Sequence, residues 1–129
     1  MTKVKSKAPD IKQLIGSTVL IAAEQSSTVI LSPNSQGGLK DVQTVIRVGP
    51  HIRPDNGYNI VPGDKVLLNL EGLFKTGIDG RTKQVAAIGQ ELVFDNETGE
   101  FVGYKYDKNK NQTLYFLIDA RRILLVFPE

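Results

Sequence analysis

The sequence predicts an all-β fold, and three observations predict it. Short runs of β-branched and aliphatic residues recur along the chain, groups of turn formers separate them at roughly the 8–12 residue spacing of sandwiches and barrels, and no segment sustains a helical period. At 129 residues there is room for one domain with a real core, and not for two ordinary ones. The 40% hydrophobic and 23% charged fractions belong to a folded chain rather than a disordered one.

The elements follow in order. Met1 to Lys12 is polar, with Lys3, Lys5, Lys7 and Lys12 against one acid, Asp10. Residues 1–13 therefore read as a basic arm, able to touch phosphate or an acidic protein surface but most simply solvated, and residues 14–129 as the domain. Asp10 to Ile15 has room for one helical turn. Thr18 to Ala23 is a β-rich run, Gln25-Ser26-Ser27 breaks it, and Thr28 to Leu31 is a second, shorter one. Pro33 to Gly38 is a cluster of turn formers. The period of two in Val42 to Val48 puts Val42, Ile46 and Val48 on the buried face of a strand and Gln43 and Arg47 on the other.

Gly49-Pro50 ends that strand, and Pro54-Asp55-Asn56-Gly57 supplies a turn. Val61-Pro62-Gly63-Asp64 leads into Lys65 to Leu70, with Val66, Leu68 and Leu70 inward. Further strands are expected over 84–88, 91–94, 101–106, 113–118 and 123–127. Turns are expected at Gly77, at Asp79-Gly80, over 96–99 and over 107–111. Asp119-Ala120-Arg121-Arg122 reads as a tight turn whose arginines face water.

Ile123, Leu124, Leu125, Val126 and Phe127 are apolar on both faces, whereas a small barrel needs only one inward face. Either the strand is central and buried within the monomer or a neighbouring subunit covers it, because an exposed apolar edge invites aggregation. The second reading makes Leu124, Val126 and Phe127 candidate subunit-interface residues.

The stretch Thr44-Val45-Ile46-Arg47-Val48-Gly49-Pro50, with Val61-Pro62-Gly63-Asp64-Lys65-Val66-Leu67-Leu68-Asn69 after a polar turn, resembles the heart of GroES-type co-chaperonins. In that family a strand closes on a valine-glycine pair, and valine, any residue, glycine, aspartate, a basic residue, valine and leucine open the next. Gly49 and Gly63 suit turns closed to bulkier residues, and Asp64 can accept backbone hydrogens. Ser17 to Ile21 is similar to the family's first strand, Val29-Ile30-Leu31 to the apolar tripeptide after its mobile loop, and Leu117 to Val126 to its closing strands. The resemblance implies a single irregular GroES-like β-barrel that assembles into rings, with Val29, Ile30 and Leu31 as partner-binding residues. Glu24 to Thr28 is shorter than the family's mobile loop and lacks its glycine pair. Glu71 to Gln112 is longer than the simple hairpin expected there, which implies one or two added β-hairpins.

The composition narrows the function. A net charge of +2 and few aromatics give neither the field nor the stacking platform of a nucleic-acid binder. No run approaches the ~20 apolar residues of a membrane span, and the polar opening is unlike a secretory signal. An intracellular or virion setting is therefore expected. The absence of cysteine excludes disulfides, thiolate metal sites and cysteine nucleophiles.

His51 has no serine or acid at triad spacing and reads as an exposed turn residue. Asp107 to Asn111 mimics a calcium loop, but Gln112 and Ile118 stand where glycine and glutamate are required. The triplets at Asn96 and Asn111 read as hairpin turns, and Gly37-Gly38 precedes a strand rather than opening a helix. Neither an enzyme nor a cofactor site is expected, and the expected partners are proteins. The chain is either a structural component of a larger assembly, such as an auxiliary or decorating subunit of a phage capsid, or a divergent co-chaperonin that caps a chaperonin ring.

Overall fold

The structure, a computed structural model, describes residues 7–23, 41–84, 86–107 and 109–128. The strands are β1 (Thr18–Ala22), β2 (Val42–Val48), β3 (Lys65–Leu68), β4 (Phe74–Thr76), β5 (Thr82–Gln84), β6 (Gln90–Asp95), β7 (Phe101–Gly103), β8 (Gln112–Asp119) and β9 (Ile123–Val126). Seven form one sheet in the order β7-β6-β8-β1-β2-β3-β9, every neighbouring pair antiparallel, and β4 pairs with β5 in a separate hairpin. The all-β expectation holds. Among the described residues the sheet does not close, and β7 and β9 are its edges.

The core lies on one face of this sheet. Val19, Ile21, Val45, Val66, Leu68 and Ile118 project into it from four strands, and Ile52, Ile60, Leu73 and Ile88 fill it from the connections. Each such side chain contributes about 1.5–3 kcal/mol of apolar burial, so the connections add as much to the core as a strand does. Val66 and Leu68 point inward as the alternation predicts.

In β2 the phase differs from the sequence reading. Gln43 and Val45 are buried, while Val42 and Ile46 are only partly so. The reason is a register shift opposite β1, where Val19 faces Val48, Leu20 faces Arg47 and Ile21 faces Val45. The extra residue, Ile46, resets the alternation, so Val45 and Val48 both reach the core although three positions separate them.

Three other expectations are corrected. Asp10 to Ile15 forms no helical turn, residues 86–88 form no strand, and the 101–106 strand ends at Gly103. The Glu71 to Gln112 stretch holds two hairpins, β4–β5 and β6–β7, and β6 is stitched to β8 along six residue pairs as an integral part of the main sheet.

The described part of the arm is fastened to the domain, although Lys7, Ala8, Asp10, Lys12 and Gln13 stay exposed. Pro9 and Leu14 are buried, and the backbone from Lys7 is tied to the β6–β7 turn by Lys7 N–H to Asn96 O (2.9 Å) and Asp10 N–H to Gly99 O (2.7 Å). Farther on, Arg47 donates to the carbonyls of Ile11 and Lys12. Residues 7–14 are thus a strap held at both ends. Gly99 lets the strap approach: it sits at φ +78°, and a Cβ there would lie 2.6 Å from the Ala8 carbonyl oxygen. Gly49 acts similarly at the end of β2, where a Cβ would overlap the Gly16 carbonyl, and its amide donates to Thr18 O at 2.8 Å.

Candidate interaction edge

β9 is built from the turn before it. Asp119 caps the 3-10 turn Ala120–Arg122 by accepting the Arg121 amide at 2.8 Å, while the Arg121 guanidinium reaches the same carboxylate at 3.2 Å (Nε to Oδ1) and 3.1 Å (Nη2 to Oδ2). These hydrogen bonds, side chain first, hold the Asp119 carboxyl below its ordinary range and raise Arg121. Arg121 faces water as predicted. Arg122 does not: it is partly buried, with its guanidinium 3.4 Å from the carbonyls of Asn69 and Glu71.

The turn delivers Ile123 alongside β3 in the register Leu68 to Ile123, Leu67 to Leu125 and Val66 to Val126. The slip between Leu67 and Leu68 lets Ile123 and Val126 both pack on the core, and leaves Leu124 and Leu125 side by side outside it. Leu124 is 59% exposed, Leu125 44% and Phe127 36%; Val61, from the segment that runs past β9, is 54% exposed. Of the three predicted interface residues, Leu124 and Phe127 are therefore outward. Val126 faces the core, and Leu125 stands in its place. Among the described residues no strand pairs with β9 on its far side, so β9 is an edge of the described sheet.

Ladder geometry gives that edge its chemistry. Phe127 N–H bonds Lys65 O at 2.8 Å and Asn69 N–H bonds Arg122 O at 2.7 Å, so alternation turns the N–H and C=O of Val126 away from β3. An apolar strand with outward-facing backbone groups is a template for pairing with another chain. Beside it a shallow groove of about 240 Å3 runs between Gly57–Ile60 and β9.

The opening of β3 next to this edge has the predicted geometry: Asp64 Oδ2 accepts the Val61 amide at 3.0 Å and Gly63 sits at φ +97°. His51 is exposed. Val29, Ile30 and Leu31 lie outside the described residues. A second exposed apolar patch surrounds β7. Phe101, Val102, Tyr104 and Tyr106 emerge around β7, with Phe101 edge-on to Phe94 (5.7 Å) and Tyr104 (5.3 Å). Tyr115, edge-on to Phe94, and Tyr58, packed on the core, are partly buried, and burial pushes the Tyr115 phenol up. The signal for the β7 patch was present in the paired aromatics at 101, 104 and 106, but tyrosines finish many β surfaces.

Among the described residues no three His, Cys, Asp or Glu side chains converge as a metal site, and no helix is long and apolar enough to cross a membrane. No protein-family model, curated protein or solved structure matches the chain.

Proposed function

We propose that this chain is a non-enzymatic assembly protein, a GroES-like β domain that joins protein partners by extending its sheet at β9, as an auxiliary or decorating subunit of a phage capsid would. The observation that carries the reading is the β9 edge itself, where Leu124, Leu125 and Phe127 are exposed beside a backbone with no strand outside it among the described residues. Pairing there satisfies the Val126 backbone groups and removes apolar surface from water in one step. The barrel reading is supported by the way β1, β2, β3 and β8 share one core with Ile52 and Ile60 of the β2–β3 connection, and by the Asp64 turn that opens β3.

Sedimentation velocity of the purified protein over a wide concentration range tests the reading, with Leu124→Lys as the edge variant. Concentration-dependent association that the variant loses supports it; one monomeric species throughout overturns self-assembly by this edge. Co-sedimentation with a chaperonin ring, with and without ATP, is the companion experiment. Nucleotide-dependent capture abolished by Ile30→Ser would replace the assembly reading with that of a ring-capping co-chaperonin.

A further inference from the structure

We propose that Asn56-Gly57, in the connection between β2 and β3, is a self-modification site: the Gly57 main-chain nitrogen displaces the Asn56 side-chain amide, and the turn that holds the pair sets the rate. The proposal goes beyond the assembly reading and does not depend on it. Asn56 is the one asparagine of the chain that a glycine follows. Closure of a ring onto the next residue's nitrogen is least hindered where that residue has no Cβ. Arg53, Pro54, Asp55, Asn56 and Gly57 are all exposed, so water reaches the pair.

The covalent step consumes one water and needs no redox partner. The Gly57 nitrogen gives its proton to solvent base and attacks Cγ of Asn56. The N–Cγ bond forms, the Cγ–Nδ2 bond breaks, and Nδ2 takes up a proton and leaves as ammonia. The product is a five-membered imide ring that includes the Asn56 main-chain carbonyl carbon. Water then adds to one of the ring's carbonyls. Opening at Cγ gives aspartate, and opening at the main-chain carbonyl gives isoaspartate, whose backbone runs through Cβ and is one carbon longer.

Hydrogen bonds hold the pair back from this reaction. Gly57 N–H donates to Pro54 O at 3.0 Å, which engages the proton that must leave. The same bond makes Asn56 the third residue of a tight turn, with ψ of about 0°, whereas ring closure needs the Gly57 nitrogen eclipsed with Asn56 Cβ. Asn56 N–H donates to Arg53 O at 2.9 Å, and Asn56 Nδ2 donates to His51 O at 3.0 Å, so main chain and side chain are both tied to the start of the connection. Reaction therefore waits on local opening of the turn.

These contacts also give the product its consequence. His51 O accepts the Arg53 amide at 3.1 Å as well as Asn56 Nδ2. Once Nδ2 is replaced by a carboxylate oxygen, that carbonyl faces a negative charge in place of a donor. In the isoaspartate form the turn also gains a backbone carbon. Ile52 and Ile60 lie on either side of the turn, and the connection seats both in the core at 6% exposure. Modification of Asn56 thus loosens the β2–β3 connection from the core.

Peptide mapping of the full chain, incubated at mildly alkaline pH with and without urea, tests the proposal. Tryptic fragment 48–65 carries Asn59 beside Asn56 as an internal reference, because the Arg53-Pro54 bond resists trypsin. In urea, aspartate and isoaspartate are expected to form several-fold faster at Asn56 than at Asn59, whose neighbour Ile60 is β-branched. In the native protein the reaction at Asn56 is expected to be at least about tenfold slower than in urea. Pro54→Ala, which frees φ at the start of the turn, should recover part of that factor in the native protein and leave the rate in urea unchanged. Chains modified at Asn56 should melt at a lower temperature than fresh ones. Equal rates at Asn56 and Asn59 in urea would overturn the chemistry, and equal rates at Asn56 with and without urea would overturn the hold of the turn. A modified chain that melts with the fresh one would overturn the loosening of the connection.

Discussion

The guanidinium of Arg47, in the middle of the sheet, donates to the main-chain carbonyl of Ile11 at 2.9 Å and to that of Lys12 at 3.3 Å, across more than thirty positions of sequence. It converts a basic N-terminal stretch into a strap. Hydrogen bonds from a charged donor contribute about 1.5–3 kcal/mol each where partly buried, and less where solvent competes. Arg47→Ala is therefore expected to lower the urea midpoint by an amount equivalent to about 2 kcal/mol at unchanged slope, with faster amide exchange at Lys7 and Asp10. Arg47→Lys should recover only part of this, because one ammonium nitrogen lacks the two separate, planar-held NH2 groups with which the guanidinium reaches both carbonyls.

The other end of the strap depends on Gly99. Gly99→Ala is strained twice, by its φ of +78° and by the Ala8 carbonyl oxygen 2.6 Å from the new Cβ. Gly80, in the β4–β5 turn, has φ +80° with open space around it. Gly80→Ala is expected to cost about 1–2 kcal/mol, and Gly99→Ala about 1–3 kcal/mol more. Equal losses in paired thermal melts would mean that the strap does not lie against Gly99.

Asp119 gives the fold an acid-sensitive joint. Its folded pKa is lowered by Arg121, so its contribution is fully present above the unfolded value of about 3.9 and is lost as pH falls through the folded one. The group is largely exposed, and solvent limits the charge-dependent part to less than about 1 kcal/mol. Asp119→Asn keeps a capping oxygen for the Arg121 amide and removes the charge. Its stability deficit against wild type is expected at neutral pH and should close as the pH falls below the unfolded value and through the lowered folded one. Asp119→Ala loses the cap as well, leaving a deficit of about 1 kcal/mol that persists in acid. Urea titrations at several pH values separate the two.

Strand identity was legible in the sequence because β-branched runs and turn formers mark strands locally, as Thr18–Ala22, Val42–Val48 and Ile123–Val126 illustrate. Facing was not. Two register shifts, at Ile46 and beside Leu124, reset the alternation, and a bulge leaves no trace in a period of two. That is why Gln43 is buried against expectation and why Leu125 replaces Val126 on the outside. The strap was illegible for a different reason: backbone carbonyls at Ile11, Lys12, Asn96 and Gly99 hold it together, and a carbonyl looks the same in every residue. The β9 edge could be read in part, since five apolar residues in a row demand cover, but only the sheet order shows that no strand among the described residues supplies it.

The β4–β5 hairpin and the residue that roots it should separate cleanly under mutation. Leu73, just before β4, is 2% exposed in the core, and its carbonyl accepts the Ala86 amide at 3.3 Å, whereas Ile78 at the hairpin's tip is fully exposed. Leu73→Ala opens a cavity, and is expected to cost about 2–5 kcal/mol. Replacing residues 76–81 with a short glycine-serine turn removes a tip that is exposed throughout, and loop closure changes only slowly with length, so that change should cost less than about 1 kcal/mol. Chemical denaturation of the two variants checks the contrast. A shortened hairpin as destabilising as Leu73→Ala would show that the hairpin itself supports the core, and that the anchoring of the 71–112 region reaches beyond Leu73.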